Sequence, residues 1–101
     1  MARILRQDAE RLLGDVTEEY VFRCCDGGMF RNMQELGVAL NNMTDEAFAY
    51  HSNESKSDFS NWVADVVKDE KLSRDLRKSV NRAQAARSVQ NRIAFLNSKL
   101  V

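Results

Sequence analysis

Apolar residues recur at helical spacing along most of the chain, and a polar residue suited to helix capping precedes most of these stripes. The first stripe, within residues 2–13, is Leu5, Ala9, Leu12 and Leu13, and Gly14 is suited to end that helix. The capping positions are Asn32 with Glu35, Thr44, Ser57 or Asp58, Asp69, and Asn81 with Gln84. The stripes that follow them are Met33, Leu36, Leu40 and Met43; Ala47, Phe48 and Tyr50; Phe59, Trp62, Val63, Val66 and Val67; Leu72 and Leu76; and Ala83, Ala86, Val89, Ile93, Leu96 and Leu100. The pattern predicts a chain built mainly of short amphipathic helices.

One segment alternates with the period of a strand instead. Within residues 17–25, Tyr20, Phe22 and Cys24 fall on one face, and Asp26-Gly27-Gly28 then supplies a tight turn before a return strand at residues 29–31. The predicted fold class is therefore α+β and mostly α, with a small β-hairpin packed on about four to six helices. We expect a single domain over residues 1–101: an N-terminal helix in 1–16, a core in 17–79 and a basic C-terminal helix in 80–101.

Composition and charge narrow the class of protein. Apolar residues make up 44% and charged residues 30%, as in water-soluble globular proteins. The net charge is zero, yet residues 1–70 carry seven basic and fourteen acidic side chains, whereas residues 71–101 carry eight basic and one acidic. No apolar run is long enough for a transmembrane helix or a signal peptide, and the two cysteines are adjacent. We therefore expect a cytoplasmic protein with reduced thiols and no membrane partner.

The middle of the chain carries a more specific pattern. It runs Tyr50-His51-x-Asn53-x-x-Lys56-x-Asp58-Phe59-x-Asn61-Trp62-Val63-x-Asp65-Val66, preceded by Phe22 to Gly27 and the Asn32–Leu40 helix and followed by Asp69-Glu-Lys-Leu72. With these residues, positions 20–78 resemble an uncharacterised domain family of archaea and bacteria. The sequence departs from the pattern at Lys68, where a glycine would end the preceding helix. The resemblance supports a single small domain and implies no activity.

The polar residues of this pattern have two interpretations. The functional one is a pocket for a ligand or partner, lined by Tyr50, His51, Asn53, Lys56, Asp58, Asn61 and Trp62. The structural one is that Asp58 caps a helix, Asn53 holds a loop, His51 bonds locally and Trp62 belongs to the core.

Catalysis has little support in the sequence. There is one histidine and no nucleophile elbow, phosphate-binding loop or metalloprotease motif. A thiol nucleophile would need Cys24 or Cys25 beside His51. The cysteines also lack the paired spacing of zinc sites, so we predict no enzyme, no metal and no cofactor.

The basic C-terminal third suggests binding to nucleic acid. Residues 58–79 resemble a helix, a short turn and a second helix, which is the arrangement of a helix-turn-helix. The candidate contacts are Lys71, Arg74, Arg77, Lys78 and Arg82. The acidic first part of the chain and the lack of interleaved aromatic residues argue against it.

Self-association is the other use of the C-terminal helix. Val89, Ile93, Leu96 and Leu100 alternate in steps of three and four, which is the spacing of a packed helix pair. They are the candidate face of a homodimer, unless both terminal helices fold back onto their own core. The sequence as a whole favours a non-enzymatic protein-interaction or regulatory module, with a small DNA- or RNA-binding protein as the alternative.

Overall fold

A computed structural model describes residues 4–101. Within this range the chain forms six α-helices and a two-stranded antiparallel sheet, so the predicted mostly α, α+β class is confirmed. The helices are α1 (Arg6–Leu13), α2 (Met33–Asn42), α3 (Asp45–His51), α4 (Asp58–Trp62), α5 (Glu70–Lys78) and α6 (Arg82–Asn97), and the strands are β1 (Phe22–Arg23) and β2 (Met29–Phe30). The first residues of the helix predicted from position 2 lie outside the described range. No helix in residues 4–101 combines the length and the hydropathy that crossing a bilayer requires.

The hairpin is shorter than its alternating pattern predicts. Phe22 pairs with Phe30, and Gly27 takes φ 94° in the turn, as a tight turn requires. Residues 18–20 form a turn of 3-10 helix instead of a strand, which leaves Tyr20 57% exposed. The prediction that Tyr20 shares a face with Phe22 is therefore wrong, because the strand begins only at Phe22.

The core lies between α2 and α6, and α1 packs against both. Met33, Leu36 and Leu40 of α2 are fully buried, as are Val89 and Leu96 of α6. These are the apolar positions that the helical spacing predicts, so burial of the stripes accounts for the pairing of the two helices. Three residues of the predicted stripes differ, because Leu5, Tyr50 and Ala83 face solvent.

An aromatic cluster fills the space between the hairpin and α4. Phe22 stacks on Phe30 at 4.7 Å between ring centres and on Phe59 at 5.2 Å. Trp62 meets Phe22 edge-on at 6.0 Å. Such pairs add about 0.5–1.5 kcal/mol each beyond the apolar area that they bury. The short hairpin is held by this packing, since two strands alone are marginally stable.

The segment between α4 and α5 turns sharply. After Trp62 the chain forms a π-helical turn, Val63–Val67, and ends in the left-handed conformation at Lys68, with φ 70° and ψ 40°. Lys68 is the one non-glycine residue with positive φ in residues 4–101, and glycine is the residue that this conformation favours. The hydroxyls of Ser60 and Ser73, both buried, each donate a hydrogen bond to the other residue's backbone carbonyl, at 2.8 and 2.9 Å, which ties α4 to α5.

Two ion pairs join the basic and acidic parts of the chain. The Arg82 guanidinium lies 3.0 Å from the Asp45 carboxylate, and Arg92 lies 2.8 Å from that of Asp69. These pairs bring some of the opposite charges of the two parts together within one molecule.

Candidate functional site

His51, at the end of α3, connects three parts of the chain. Its ring is buried, and Nδ1 lies 2.9 Å from Oδ2 of Asp58 at the start of α4. Its Nε2 accepts a hydrogen bond of 3.0 Å from the backbone N–H of Cys25 in the hairpin turn. Because a backbone N–H can only donate, Nε2 is the acceptor, and in the neutral ring the proton is on Nδ1, facing Asp58.

Asp58 is shared between His51 and Lys56. The Lys56 ammonium lies 3.2 Å from the same carboxylate oxygen and 4.5 Å from the centre of the Tyr50 ring. Burial alone would raise the pKa of Asp58, but the hydrogen bonds from His51 and Lys56, together with their charges, hold it below its usual value. Asp58 therefore does not cap α4 with its side chain, as one interpretation of the sequence expected.

The two cysteines lie against His51. Cys24 is buried and Cys25 exposed, and neither forms a disulfide. Burial is the main cause that raises the pKa of the Cys24 thiol. The two sulfur atoms and one imidazole nitrogen all lie within 4.8 Å of one another. The structure thus places both thiols beside the single histidine, which is the condition that a thiol–imidazole site requires.

The order Cys25, His51, Asp58 is that of a nucleophile, a base and an orienting carboxylate. The bonding differs, however, because Nε2 accepts from the Cys25 backbone and the Cys25 thiol lies 4.0 Å from the Ala47 carbonyl oxygen. The array in this form holds the hairpin turn against α3.

The other predicted pocket residues have separate roles. The Asn53 side chain donates to the Ala49 carbonyl and accepts from the N–H groups of Ser55 and Lys56, so it holds the loop. The Trp62 indole N–H donates to the Tyr20 carbonyl at 2.8 Å, and its ring lies in the core. Of the seven residues, Tyr50, His51, Lys56 and Asp58 form one connected group, whereas Trp62 belongs to the aromatic cluster.

An open cleft of about 790 Å³ lies between the loop of residues 52–57 and the junction of α5 and α6. Three of the predicted residues line it, namely Asn53, Lys56 and Asn61, together with Arg77 and Val80. The rest of the lining is Phe48, Ser52, Glu54, Ser55, Ser57 and Ser79. Val80 is 78% exposed, and among the described residues Arg77 makes no ion pair.

The predicted nucleic-acid contacts divide into two groups. Lys71, Arg74, Arg77 and Lys78 are exposed on α5, although Lys71 pairs with Asp75. The Arg82 guanidinium instead donates within the chain, to Asp45 and to the carbonyls of Leu40 and Asn41. Its role as a nucleic-acid contact stays a prediction.

The residues of the predicted homodimer face are packed against the rest of the same chain. Val89 and Leu96 are fully buried, Ile93 is 8% exposed, and Leu100 packs against the core, all within one chain. The three-and-four spacing of these residues therefore matches α2 and α1 of the same molecule, not a second subunit.

Two features of the site were missed in the sequence. The grouping of Cys24 and Cys25 with His51 spans 26 residues and does not have the spacing of a metal motif. Arg77 and Val80 reach the cleft because the chain breaks between α5 and α6, as the capping position at Asn81 and Gln84 predicts. No signal in the sequence linked that break to the loop of residues 52–57.

Comparison with known proteins adds no relative: no family model, no curated protein and no solved structure matches the chain. Membership of the family that the central segment resembles therefore stays a prediction.

Proposed function

We propose that this protein is a non-enzymatic, cytoplasmic protein-interaction module whose cleft binds an acidic, extended segment of a partner protein. The observation that carries the proposal is the cleft itself, which combines two cations, Lys56 and Arg77, with a row of hydroxyl and amide groups.

The lining fits the chemistry of an extended peptide. Serine hydroxyls and the Asn61 amide offer donors and acceptors for a peptide backbone, which has one of each per residue. Phe48 and Val80 provide apolar contact for an occasional apolar side chain. A guanidinium binds carboxylates through two parallel hydrogen bonds, so Arg77 suits an aspartate or glutamate of the partner.

The charges also limit where the acidic residues of the partner lie. Lys56 is already paired with Asp58, so its charge is partly neutralised. Glu54 also lines the cleft, and its negative charge repels a carboxylate of the partner there. We therefore assign the principal contact to Arg77.

A role without catalysis is supported by the state of the histidine. Both ring nitrogens of His51 are engaged, one by Asp58 and the other by the Cys25 backbone. In this arrangement no acceptor nitrogen faces the cleft as a general base would.

The test uses fluorescence anisotropy with short labelled peptides rich in aspartate and glutamate, and lysine-rich peptides for comparison. Acidic peptides should bind, and Arg77→Glu should weaken them at least about tenfold, because attraction is replaced by repulsion. Arg74→Glu is the matched control, since Arg74 is exposed on the same helix and does not line the cleft. Equal binding of both peptide classes, or equal loss in both variants, would contradict the proposal.

A small nucleic-acid-binding protein is the second candidate, and one observation favours it. Arg74, Arg77 and Lys78 are exposed on α5 and make no ion pair with any described residue. A duplex would contact the whole helix, so Arg74→Glu and Arg77→Glu should then weaken binding alike, with a steep dependence on salt.

The oligomeric state is measured separately. Light scattering over a dilution series shows whether two copies associate, and a concentration-dependent mass would point to a surface other than the buried stripe of α6.

A further inference from the structure

The hairpin turn and the end of α3 bring together the only two thiols of the chain and its only imidazole. We propose that Cys24, Cys25 and His51 bind a thiophilic metal ion of the Zn²⁺ class, with two thiolates and one imidazole nitrogen as ligands. This inference is independent of the peptide cleft.

The spacing of the donors is close to that of a filled site. Zinc lies about 2.3 Å from thiolate sulfur and about 2.0 Å from imidazole nitrogen, so tetrahedral ligands are roughly 3.5–3.8 Å apart. Here the three donor atoms lie within 4.8 Å of one another. The remaining distance is within reach of a side-chain rotation, and Cys25 is free to rotate because it is exposed.

The histidine already has the form that a metal ligand needs. The proton on Nδ1 faces Asp58, which leaves the lone pair on Nε2, on the side of the Cys25 backbone. A carboxylate behind a ligating histidine is the usual outer partner in metal sites, where it orients the ring and raises its basicity. Lys56 in turn fixes that carboxylate.

Metal binding would replace one hydrogen bond. At present Nε2 accepts from the Cys25 N–H, and a metal on Nε2 would displace that N–H toward solvent. Because Cys25 is exposed, water can accept a hydrogen bond from the displaced N–H. Three protein ligands leave the fourth position of a tetrahedral ion open to water, as in zinc sites that remain accessible.

The experiment is a Co²⁺ titration of the reduced protein, followed by addition of Zn²⁺. Thiolate-to-cobalt charge-transfer absorption should appear and should disappear when Zn²⁺ displaces the cobalt. Cys25→Ser should weaken the binding of Zn²⁺ at least tenfold. Asp58→Asn should keep the thiolate absorption but lower the affinity by about 10–100-fold, because Asp58 is a positioning residue.

A second measurement guards against variants that fail to fold. In the unmodified protein, Zn²⁺ should shift the Cys25 amide resonance, speed its hydrogen exchange and raise the unfolding temperature. Folded, reduced protein without thiolate-to-cobalt absorption would overturn the proposal. So would a Cys25→Ser variant that binds Zn²⁺ as tightly as the original chain.

Discussion

Asp69 and Arg92 form a buried ion pair that joins α5 to α6. The guanidinium donates to both carboxylate oxygens, at 2.8 and 3.0 Å, and the side chains are 1% and 11% exposed. The same carboxylate accepts from the Leu72 N–H and so caps α5. One group therefore holds the start of one helix and fixes it to the next.

Removal of Arg92 should be strongly destabilising. Arg92→Ala leaves the Asp69 carboxylate buried with only its capping bond, and breaking such a pair costs about 3–5 kcal/mol. Urea unfolding followed by circular dichroism measures the change in the free energy of unfolding.

The comparison for this prediction is Arg6→Ala, which removes an exposed pair with Glu10. Exposed pairs contribute about 0–1 kcal/mol, so the two variants should differ clearly. A loss below about 1 kcal/mol for Arg92→Ala would show that water reaches Asp69.

Much of the fold was predictable because its signals are local. The side chains of Asn32, Thr44, Asp69 and Asn81 each accept from the backbone N–H three residues ahead, as the capping patterns predict. The four-residue apolar stripe of α2 and the break before α6 depend likewise on near neighbours.

The rest depends on contacts between distant residues. Within the strand pattern of residues 17–25 the strand begins only at Phe22, and the Tyr20 carbonyl before it accepts from Trp62, 42 positions later. The stripe of α6 has the spacing of a helix pair, but spacing does not say which helix is the partner. Spacing along the chain likewise indicated the polar residues around His51 but did not show that Cys24 and Cys25 lie beside it.

Lys68→Gly should stabilise the protein. Lys68 holds left-handed backbone angles, which cost a residue with a Cβ about 1–2 kcal/mol and cost glycine little. Part of that gain is offset because glycine has more freedom in the unfolded chain, so we expect about 0.5–1 kcal/mol.

Lys68→Ala separates this effect from the loss of the side chain, whose ammonium donates to the Asp65 carbonyl. Alanine keeps the strain and should be neutral or slightly destabilising. If glycine and alanine gave the same unfolding temperature, backbone strain at Lys68 would be excluded.

The stability of the protein should fall in acid through Asp58. Its pKa is lower in the folded chain than in the unfolded one, so its contribution is complete above about pH 4 and is lost as the pH falls through the folded pKa. Urea unfolding between neutral pH and acid should show this loss. In Asp58→Asn the amide does not titrate, so this variant should be less stable at neutral pH and lose less on acidification. Parallel pH profiles for the two proteins would contradict the assignment.

Gly37 lets α2 approach α6 closely, and Gly37→Ala should therefore destabilise the pair. An added Cβ would lie 3.0 Å from Nε2 of Gln90 and 3.2 Å from Cγ1 of Val89. Gln90 is exposed and can move, but Val89 is fully buried and stiff. Overpacking costs about 1–3 kcal/mol, and the better helix propensity of alanine returns up to about 1 kcal/mol. We expect a net loss near 1 kcal/mol in urea unfolding.

Adding Val89→Ala makes room for the new methyl group, so the double variant should be more stable than the sum of the single changes predicts. Additive losses would show that the contact with Val89 is not what requires glycine there.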